Sequence, residues 1–563
     1  MKVNISKVSL LDCVSIAVIL ALISYFYFQF FTYTANIPVN DDYKAILEFI
    51  NKFKGAESFA EKIKLMLAQH NEHRIFYDRL WTLVSYKIYG TVNFNFLALI
   101  GNLSYLVFFV LLSLPVWRKG FVYLIPIAVL IFNFSFHENI TFPMATLSNN
   151  TGLLFIVASI YFATKEGKSQ YWSLLFYVLS VLTVGSGMFL TVLLPLVFLY
   201  KKQKKMALVF VALAVVTLAL YFMGYQKPPQ TPDIFETLVA FKVKAVLFFF
   251  CFVGNISSFY LIFTNDINDS VVLSAMLGVL VLVFYGYLVW KQYYKQNLFV
   301  FATLTFMLIA AGLTSITRTP FGIETAIASR YRLYSAIIII CCYCYAVEHA
   351  RIKNSLQYGL IGVISLFYFV NVSYAQLEYL DYRQSLNYIG AINYQSGNHK
   401  LLNGFEQDAY KVILEESKNY QTYELPKEEI DHYFPVSKQA AALNQANNTD
   451  KWFTQGVEQI YELKDSFIIT GKGFLDGEPT AGQKIYLELE NGATKNTMTF
   501  ETIPVKRYDM NPYFKKNNLD YGGFSCRIPK SLLDGQEYTI KLSIVNDKLF
   551  KKEITDKKIK KTY

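Results

Sequence analysis

Cysteine is scarce in this chain, with six residues among 563. No pair of cysteines has the spacing of a metal site or of a disulfide framework, which argues against both. Five lie in apolar segments, where cysteine behaves as a small hydrophobic residue, and the sixth stands alone in the polar tail. They are Cys13, Cys251, Cys341, Cys342, Cys344 and Cys526.

Charge is also scarce, because charged residues make up 17% of the chain while 54% is hydrophobic and 17% aromatic. Such a composition is too apolar for a soluble protein of this length. A membrane-spanning helix needs about 20 apolar residues, and its backbone polar groups must be satisfied within the helix. The sequence predicts about eleven spans, at 9–33, 95–116, 120–137, 147–164, 170–184, 187–200, 206–223, 269–290, 297–316, 333–348 and 356–375.

Basic residues gather in short loops between these spans, which indicates that the loops face the cytoplasm. They are Arg118-Lys119, Lys165/Lys168, Lys201 to Lys205, Lys291/Lys295 and Arg351/Lys353. Segment 234–263 is ambiguous, because its second half, Ala245 to Phe263, is apolar enough to span but is interrupted by Gly254-Asn255. The orientation of the basic loops makes this segment interfacial or re-entrant on the outer side, puts the amino terminus inside and puts the carboxyl terminus outside. The first span lacks a small-residue cleavage site and is expected to remain as an anchor. The net charge of +11 follows from this bias and a lysine-rich tail, without nucleic acid.

The composition changes after Ala375. Residues 376–460 are polar and helix-like, which predicts a helical extracytoplasmic region. Residues 461–563 contain short runs of β-branched and aromatic residues separated by Asp-Gly and Asn-Gly turns, which predict a β-sandwich. The predicted fold is therefore a polytopic α-helical membrane protein (residues 1–375, first outward loop 34–94) with a helical linker and a β-sandwich domain.

Two adjacent carboxylates, Asp41 and Asp42, follow the first span. A carboxylate at the membrane rim can accept a proton from a hydroxyl group, so both are candidate catalytic residues. Adjacent residues of an extended segment point to opposite sides. We therefore expect one aspartate, with Asp41 favoured, to face a cavity and the other, Asp42, to cap the following helix.

The first loop also contains Gln69-His70-Asn71-Glu72-His73-Arg74, which is expected to be helical. A His-Arg pair beside an acid suits phosphate recognition, so Glu72, His73 and Arg74 are candidate substrate-binding residues. Salt bridges among Glu72, Arg74 and Arg79 on a solvated helix are the alternative. No His-Glu-x-x-His pattern supports a zinc site.

Outward arginines form a third cluster, with Arg318 after one span and Arg330-Tyr331-Arg332 at the start of another. An arginine at a helix start opposes the helix dipole, so something must compensate its charge. A lipid phosphate would do so through bidentate contacts; snorkelling to lipid headgroups is the alternative. His137 and Glu138, between the third and fourth spans, are candidates for the same cavity, with capping of their own loop as the other interpretation.

The order of these motifs resembles the GT-C superfamily, the multi-span glycosyltransferases that use polyprenyl-phosphate sugars. More closely, the chain is similar to a group of bacterial membrane proteins with Asp-Asp after the first span, Glu-His-Arg in the first loop and Ser-Arg-Tyr before a late span. Here these motifs are Asp41-Asp42, Glu72-His73-Arg74 and Ser329-Arg330-Tyr331. The resemblance covers about residues 1–375, and more loosely the chain to about Pro426. It implies that Asp41 or Asp42 acts as general base and that Arg330 or Arg332 binds the donor phosphate.

The resemblance is one of topology, so it implies a polyprenyl-phosphate sugar donor but neither the sugar nor the acceptor. We predict a bacterial plasma-membrane enzyme that transfers sugar from this lipid to a cell-surface glycan or lipid acceptor. No dedicated ligand set for a cofactor is present, although a divalent cation remains possible. A transporter is disfavoured, because the span interiors are almost free of charge and no internal repeat is present. A glycan polymerase or ligase that uses a polyprenyl-diphosphate donor, and a non-enzymatic surface-glycan binding protein, remain the alternatives.

Overall fold

The computed structural model describes residues 9–228, 237, 239–258, 267–349, 355–441, 448–507, 509–546 and 549–560. The predicted basic loop Arg351/Lys353 and parts of segment 234–263 lie outside these residues. The chain divides into two compact units, Met1–Gln384 with Val412–Glu424, and Ser385–Lys411 with Leu425–Tyr563.

Eight helices of the described residues are long and apolar enough to cross a membrane. They are α1 (Leu10–Tyr33), α5 (Phe94–Ser113), α8 (Pro143–Ala163), α11 (Lys204–Phe222), α13 (Ile267–Trp290), α14 (Leu298–Arg318, extended by one turn to Phe321), α15 (Ser329–His349) and the part Leu360–Gln395 of α16 (Ser355–Gln395). Local signals set several of their starts. Ser9 forms a capping box with Asp12, and the side chains of Asn93 and Asn297 accept backbone N–H groups of the first turns that follow them.

The remaining predicted spans coincide with shorter apolar segments. Phe121–Phe136 contains α6 (Ile125–Ile131), Gly185–Tyr200 contains α10 (Leu190–Tyr200), and α9 (Trp172–Val181) precedes the turn at Gly185. In the ambiguous segment, α12 (Lys242–Val253) ends at Gly254, where the sequence predicted an interruption. The chain is a polytopic helical membrane protein, and its eleven-span count stays a prediction.

The loop between α1 and α5 is built from short elements: a π-helical turn (Tyr43–Glu48), α2 (Phe49–Gly55), α3 (Phe59–Leu67), a hairpin of β1 (Gln69–His70) and β2 (His73–Arg74), and α4 (Phe76–Tyr89). The predicted helix through Gln69–Arg74 is wrong. Asn71 adopts a positive φ of 47°, which reverses the chain and pairs His70 with His73. The charged residues of this stretch therefore do not share a helical face.

The tail begins inside a helix, because α16 runs without a break for 41 residues and passes position 376. Three shorter helices follow, α17 (Gln407–Asn419), α18 (Lys427–Tyr433) and, between strands, α19 (Met510–Phe514). One further short helix, α7 (Glu138–Thr141), belongs to the membrane domain and lies before α8.

Two antiparallel sheets form the carboxyl-terminal region, and their buried side chains share one apolar core. The strands are β3 (Gln439–Ala440), β4 (Phe453–Glu462), β5 (Ser466–Leu475), β6 (Lys484–Asn491), β7 (Thr497–Glu501), β8 (Ile503–Val505), β9 (Gly523–Pro529), β10 (Glu537–Asn546) and β11 (Leu549–Lys560). One sheet has the order β11-β10-β6-β7-β3 and the other β4-β5-β9-β8. The Asp-Gly and Asn-Gly pairs lie between strands, as the sequence predicted, and Gly477 has the positive φ of 79° that such a turn requires.

Candidate functional site

Arg332 is buried in the membrane domain and surrounded by acceptors from three other segments. Its Nε donates to Asn255 Oδ1 at 3.4 Å and to Ser258 Oγ at 3.1 Å, and its Nη1 donates to the Ser135 carbonyl at 3.0 Å and to Gln376 Oε1 at 3.4 Å. Snorkelling of Arg332 to lipid headgroups is therefore wrong. A buried guanidinium is stable only when its donors are satisfied, so the main role of Arg332 is to join these segments.

Glu138 caps the amino end of α15, where the sequence required a compensating charge. Its Oε2 accepts the Ser329 hydroxyl at 2.6 Å and the Arg330 N–H at 3.1 Å, while the Glu138 N–H donates to Ser329 Oγ at 3.3 Å. Burial alone would raise the pKa of Glu138. His137, Arg330 and these hydrogen bonds outweigh it and hold the pKa below its ordinary value. An internal carboxylate thus offsets the charge at this helix start, without a lipid phosphate.

Arg330 lies two residues before Arg332 and is exposed. Its guanidinium stands 5.4 Å from the centre of the Tyr331 ring. The carboxylates of Glu138 and Asp41 both stabilise its charge. The amide of Asn139 donates to its backbone carbonyl at 3.0 Å, which fixes the main chain, and the Tyr331 side chain forms a hydrogen bond with the guanidinium. Arg330 is therefore placed to meet an anion from solvent or lipid.

The adjacent aspartates have opposite environments. Asp42 is completely buried, and its two oxygens accept the Val39 N–H at 3.0 Å and the Met144 N–H at 2.9 Å. The expected capping of its own helix is wrong, because the carboxylate reaches Met144 in the first turn of α8 and caps that helix instead. Burial raises the pKa of Asp42 well above its ordinary value. Asp41 is exposed and near the charge of Arg330.

Glu72 and His73 face residues far away in the sequence. Glu72 Oε1 forms a salt bridge of 3.1 Å with Arg318 Nη2. The His73 ring packs against Gly185, where an added Cβ would lie 2.6 Å from Nδ1. Burial, with a smaller contribution from Arg318, lowers the pKa of His73, so the imidazole is neutral at pH 7.

A tyrosine connects this second cluster to the start of α15. Tyr334 OH lies 3.1 Å from Ser186 Oγ, in the same turn as Gly185. Tyr334 is one helical turn after Tyr331, and Phe252 packs against both rings. A run of polar and aromatic side chains therefore leads from Arg330 towards Glu72 and Arg318.

Arg74 and Arg79 bind backbone carbonyls, which disagrees with the alternative of a Glu72–Arg74–Arg79 salt-bridge network. Arg74 donates to the Tyr221 and Met223 carbonyls at 2.7 Å each, and also to the Leu67 carbonyl. Arg79 is buried and donates to the carbonyls of Met66, at 3.3 Å, and Ala68. Both arginines stabilise the loop, and the donors of Arg74 are engaged there rather than with Glu72.

His137 lies beside the Arg332 network. Its Nδ1 is 2.8 Å from Gln376 Oε1, which assigns the proton to Nδ1, and its ring lies 4.4 Å from that of Tyr379. Burial and the nearby charge of Arg332 lower the pKa of His137 to about 3. The ring is a neutral hydrogen-bond donor within this network.

Sequence reasoning missed Asp78, in the first turn of α4. Its side chain is fully buried, and neither oxygen has a hydrogen-bond partner among the described residues. Burial raises its pKa well above the ordinary value, and Asp42 contributes in the same direction. In the sequence, Asp78 next to Arg79 is typical of an exposed ion pair. The burial of Asp78 is evident only from the packing of the folded chain. Gln376 and Asn255 were missed for the same reason, since polar residues at the ends of apolar segments are common.

No cluster of three or more metal-ligating side chains occurs within the described ranges. The polar groups of the site are mainly arginine, carboxylate and tyrosine. Such a set can bind an anion, accept a proton from a hydroxyl and present an aromatic face to a ligand.

Comparison of the chain with protein-family models, with curated proteins and with solved structures finds no significant match.

Proposed function

We propose that this protein is a membrane glycosyltransferase that moves a sugar from a polyprenyl-phosphate donor to a cell-surface glycan or lipid acceptor. In this proposal the chain crosses the bacterial plasma membrane eleven times, through the eight long helices and three shorter ones. The amino terminus is cytoplasmic, and the first loop and the β-sandwich are extracytoplasmic.

The observation that carries the proposal is the exposure of Asp41 and Arg330, two residues of opposite charge that act on each other electrostatically. Both residues are exposed, whereas their neighbours Asp42 and Arg332 are buried. A carboxylate and a guanidinium that stay accessible beside a span end are the two groups that transfer from a lipid phosphate requires.

In the proposed reaction, the guanidinium of Arg330 binds the donor phosphate through its planar pair of N–H groups. The acceptor hydroxyl oxygen attacks the anomeric carbon, and Asp41 takes the hydroxyl proton. The bond between that carbon and the phosphate oxygen breaks, and the polyprenyl phosphate leaves with the bonding electrons. Its negative charge stays beside Arg330.

Before the donor binds, Asp41 and Glu138 offset the charge of Arg330. In the proposal, the negative charge of the bound donor phosphate takes over this role beside Arg330. The Glu72–Arg318 pair, which is partly exposed, supplies a second polar contact surface for the acceptor. Tyr331 and Tyr334 present the aromatic faces on which sugars commonly pack.

A polymerase or ligase with a diphosphate donor needs a second available cation. Arg318 is the candidate, and its salt bridge with Glu72 favours the monophosphate donor. A non-enzymatic glycan-binding protein would tolerate loss of the Asp41 carboxyl. A substitution of Asp41 therefore distinguishes the proposed enzyme from a glycan-binding protein.

The test is complementation of a deletion strain with wild type, Asp41→Asn or Glu57→Gln, followed by mass analysis of surface glycans and lipids. Glu57 is an exposed acid of the same loop and is the matched control. We expect Glu57→Gln to restore the missing sugar and Asp41→Asn to leave it absent, at equal protein levels in the membrane. Restoration by Asp41→Asn would refute the aspartate base.

A further inference from the structure

Helix α3 carries an exposed apolar stripe on a helix too short to cross a membrane. Phe59, Ile63 and Leu67 are 78%, 44% and 41% exposed. Their spacing of four residues places them along one face of the helix. The stripe is uncovered by the described part of the chain.

The other sides of α3 are polar or packed. Met66 is buried, and Lys62 Nζ lies 5.7 Å from the centre of the Phe53 ring. Glu61 is exposed on the side opposite Ile63, and Lys64 is exposed at the border of the stripe. Since Ser58 and Glu61 form a capping box, the helix is locally stabilised and its apolar face has a fixed direction.

Arg74 links the end of α3 to the end of the apolar helix α11. Its guanidinium donates to the Leu67 carbonyl at the end of α3 and to the Tyr221 and Met223 carbonyls at the end of span α11. Acceptors that share one guanidinium lie within a few ångströms of each other. The end of α3 is thus beside the end of a membrane span.

A second link repeats this placement. The amide of Gln69 donates to the Gln226 carbonyl at 2.6 Å, and the Gln226 N–H donates to Gln69 Oε1 at 2.9 Å. The neighbouring end of α11 also exposes apolar side chains, with Phe222 51% and Met223 70% exposed. The stripe therefore borders apolar surface that belongs to a membrane span.

We propose that α3 lies along the membrane–water boundary, with Phe59, Ile63 and Leu67 inserted among the lipid acyl chains. Glu61 and Lys64 face headgroups and water. A helix with one apolar and one charged face binds a membrane surface in this way, and its lysine extends towards the headgroups. The first loop is then held against the bilayer at both its hairpin and α3, independently of the reaction proposed above.

The test is a nitroxide spin label at position 63 or 61 of the full-length protein in lipid nanodiscs. Ile63→Cys reports on the stripe and Glu61→Cys is the control on the polar face of the same helix. Cys13→Ser and Cys342→Ser remove the native cysteines that are not buried. Collision rates with oxygen, which concentrates in lipid, and with a water-soluble nickel chelate give the environment of each label.

We expect the ratio of oxygen to nickel collisions to be several-fold higher at position 63 than at position 61. Similar, water-like ratios at both positions would overturn the proposal. Protection of position 63 from both reagents would also overturn it, because a protein surface or a second copy would then cover the stripe. If Ile63→Cys does not yield folded protein, Phe59→Cys reports on the same stripe with the same outcomes.

Discussion

Arg330 and Arg332 lie on one helix, about 200° apart around its axis. Arg332 is buried and donates to acceptors on three other segments, whereas Arg330 is exposed beside an aromatic ring and two carboxylates. The two residues carry the same charge, but their burial and their partners differ. The buried arginine supports the fold, and the exposed one is available to a ligand.

The aspartates repeat this contrast in the first loop. Asp42 is buried and binds two backbone N–H groups, and Asp41 is exposed beside Arg330. Each pair thus combines one buried residue that joins segments of the membrane domain with one exposed residue.

The largest effect is expected for Arg332→Ala. It leaves buried neutral oxygens on three segments without their donor, and each buried polar group that loses its partner costs about 1–3 kcal/mol. We expect little monodisperse protein in detergent and a much lower thermal midpoint. Arg330→Ala is the matched control, and equal midpoints for the two variants would contradict the comparison.

Arg330→Ala should instead weaken donor binding. Hydrogen bonds to charged groups contribute about 1.5–3 kcal/mol, so the dissociation constant for a polyprenyl phosphate should rise about 10- to 100-fold. The dissociation constant of Arg330→Lys should lie between those of the wild type and Arg330→Ala, because lysine keeps the charge but loses the planar pair of donors. Titration of purified protein with farnesyl phosphate measures this. Unchanged binding in both variants would remove Arg330 from the donor site.

Asp42→Ala leaves two buried N–H groups without their acceptor, at a cost of about 1–3 kcal/mol. Asp41→Ala removes an exposed carboxylate and should leave the thermal midpoint nearly unchanged. The pair is compared by thermal unfolding of detergent-solubilised protein. A larger loss of stability in Asp41→Ala would reverse the assignment of the two aspartates.

The smallest expected effect is on how the free energy of unfolding changes at acidic pH. The pKa of His137 is about 3 in the folded protein against an ordinary value of 6.5, so protonation favours the unfolded chain. The contribution of His137 is complete above pH 6.5 and is lost as pH falls towards 3, by at most about 1.4 kcal/mol per pH unit. Burial lowers the pKa of His70 and His73 in the same direction.

His137→Gln keeps a polar side chain but removes one group that binds a proton when the chain unfolds below pH 6.5. The decline in unfolding free energy between pH 6.5 and 5 should therefore be shallower than in the wild type, when followed by denaturant titration at each pH. A decline of unchanged slope would show that His137 is accessible to protons in the folded state.

Sequence patterns predicted the elements that depend on neighbouring residues. Apolar runs located the long helices, and Gly254 and the turn at Gly477 ended the elements expected there. Asn71 was misread because a helix-compatible sequence surrounds it, and the reversal depends on its positive φ. The partner of Asp42 lies 102 residues away at Met144, a contact that no local pattern encodes. Asp78 escaped notice because its burial is a property of packing.

The acceptor Gln376 has a consequence for biogenesis. Its Oε1 is shared by Arg332 and His137, and it lies on α16, the last apolar helix of the membrane domain. During synthesis, Arg332 enters the membrane domain before this acceptor exists. Its charge is fully accommodated only after α16 has inserted, so ribosome-bound chains that end before Gln376 should remain targets for membrane quality control. Completion of the membrane domain is thereby coupled to emergence of the helix that leads into the tail.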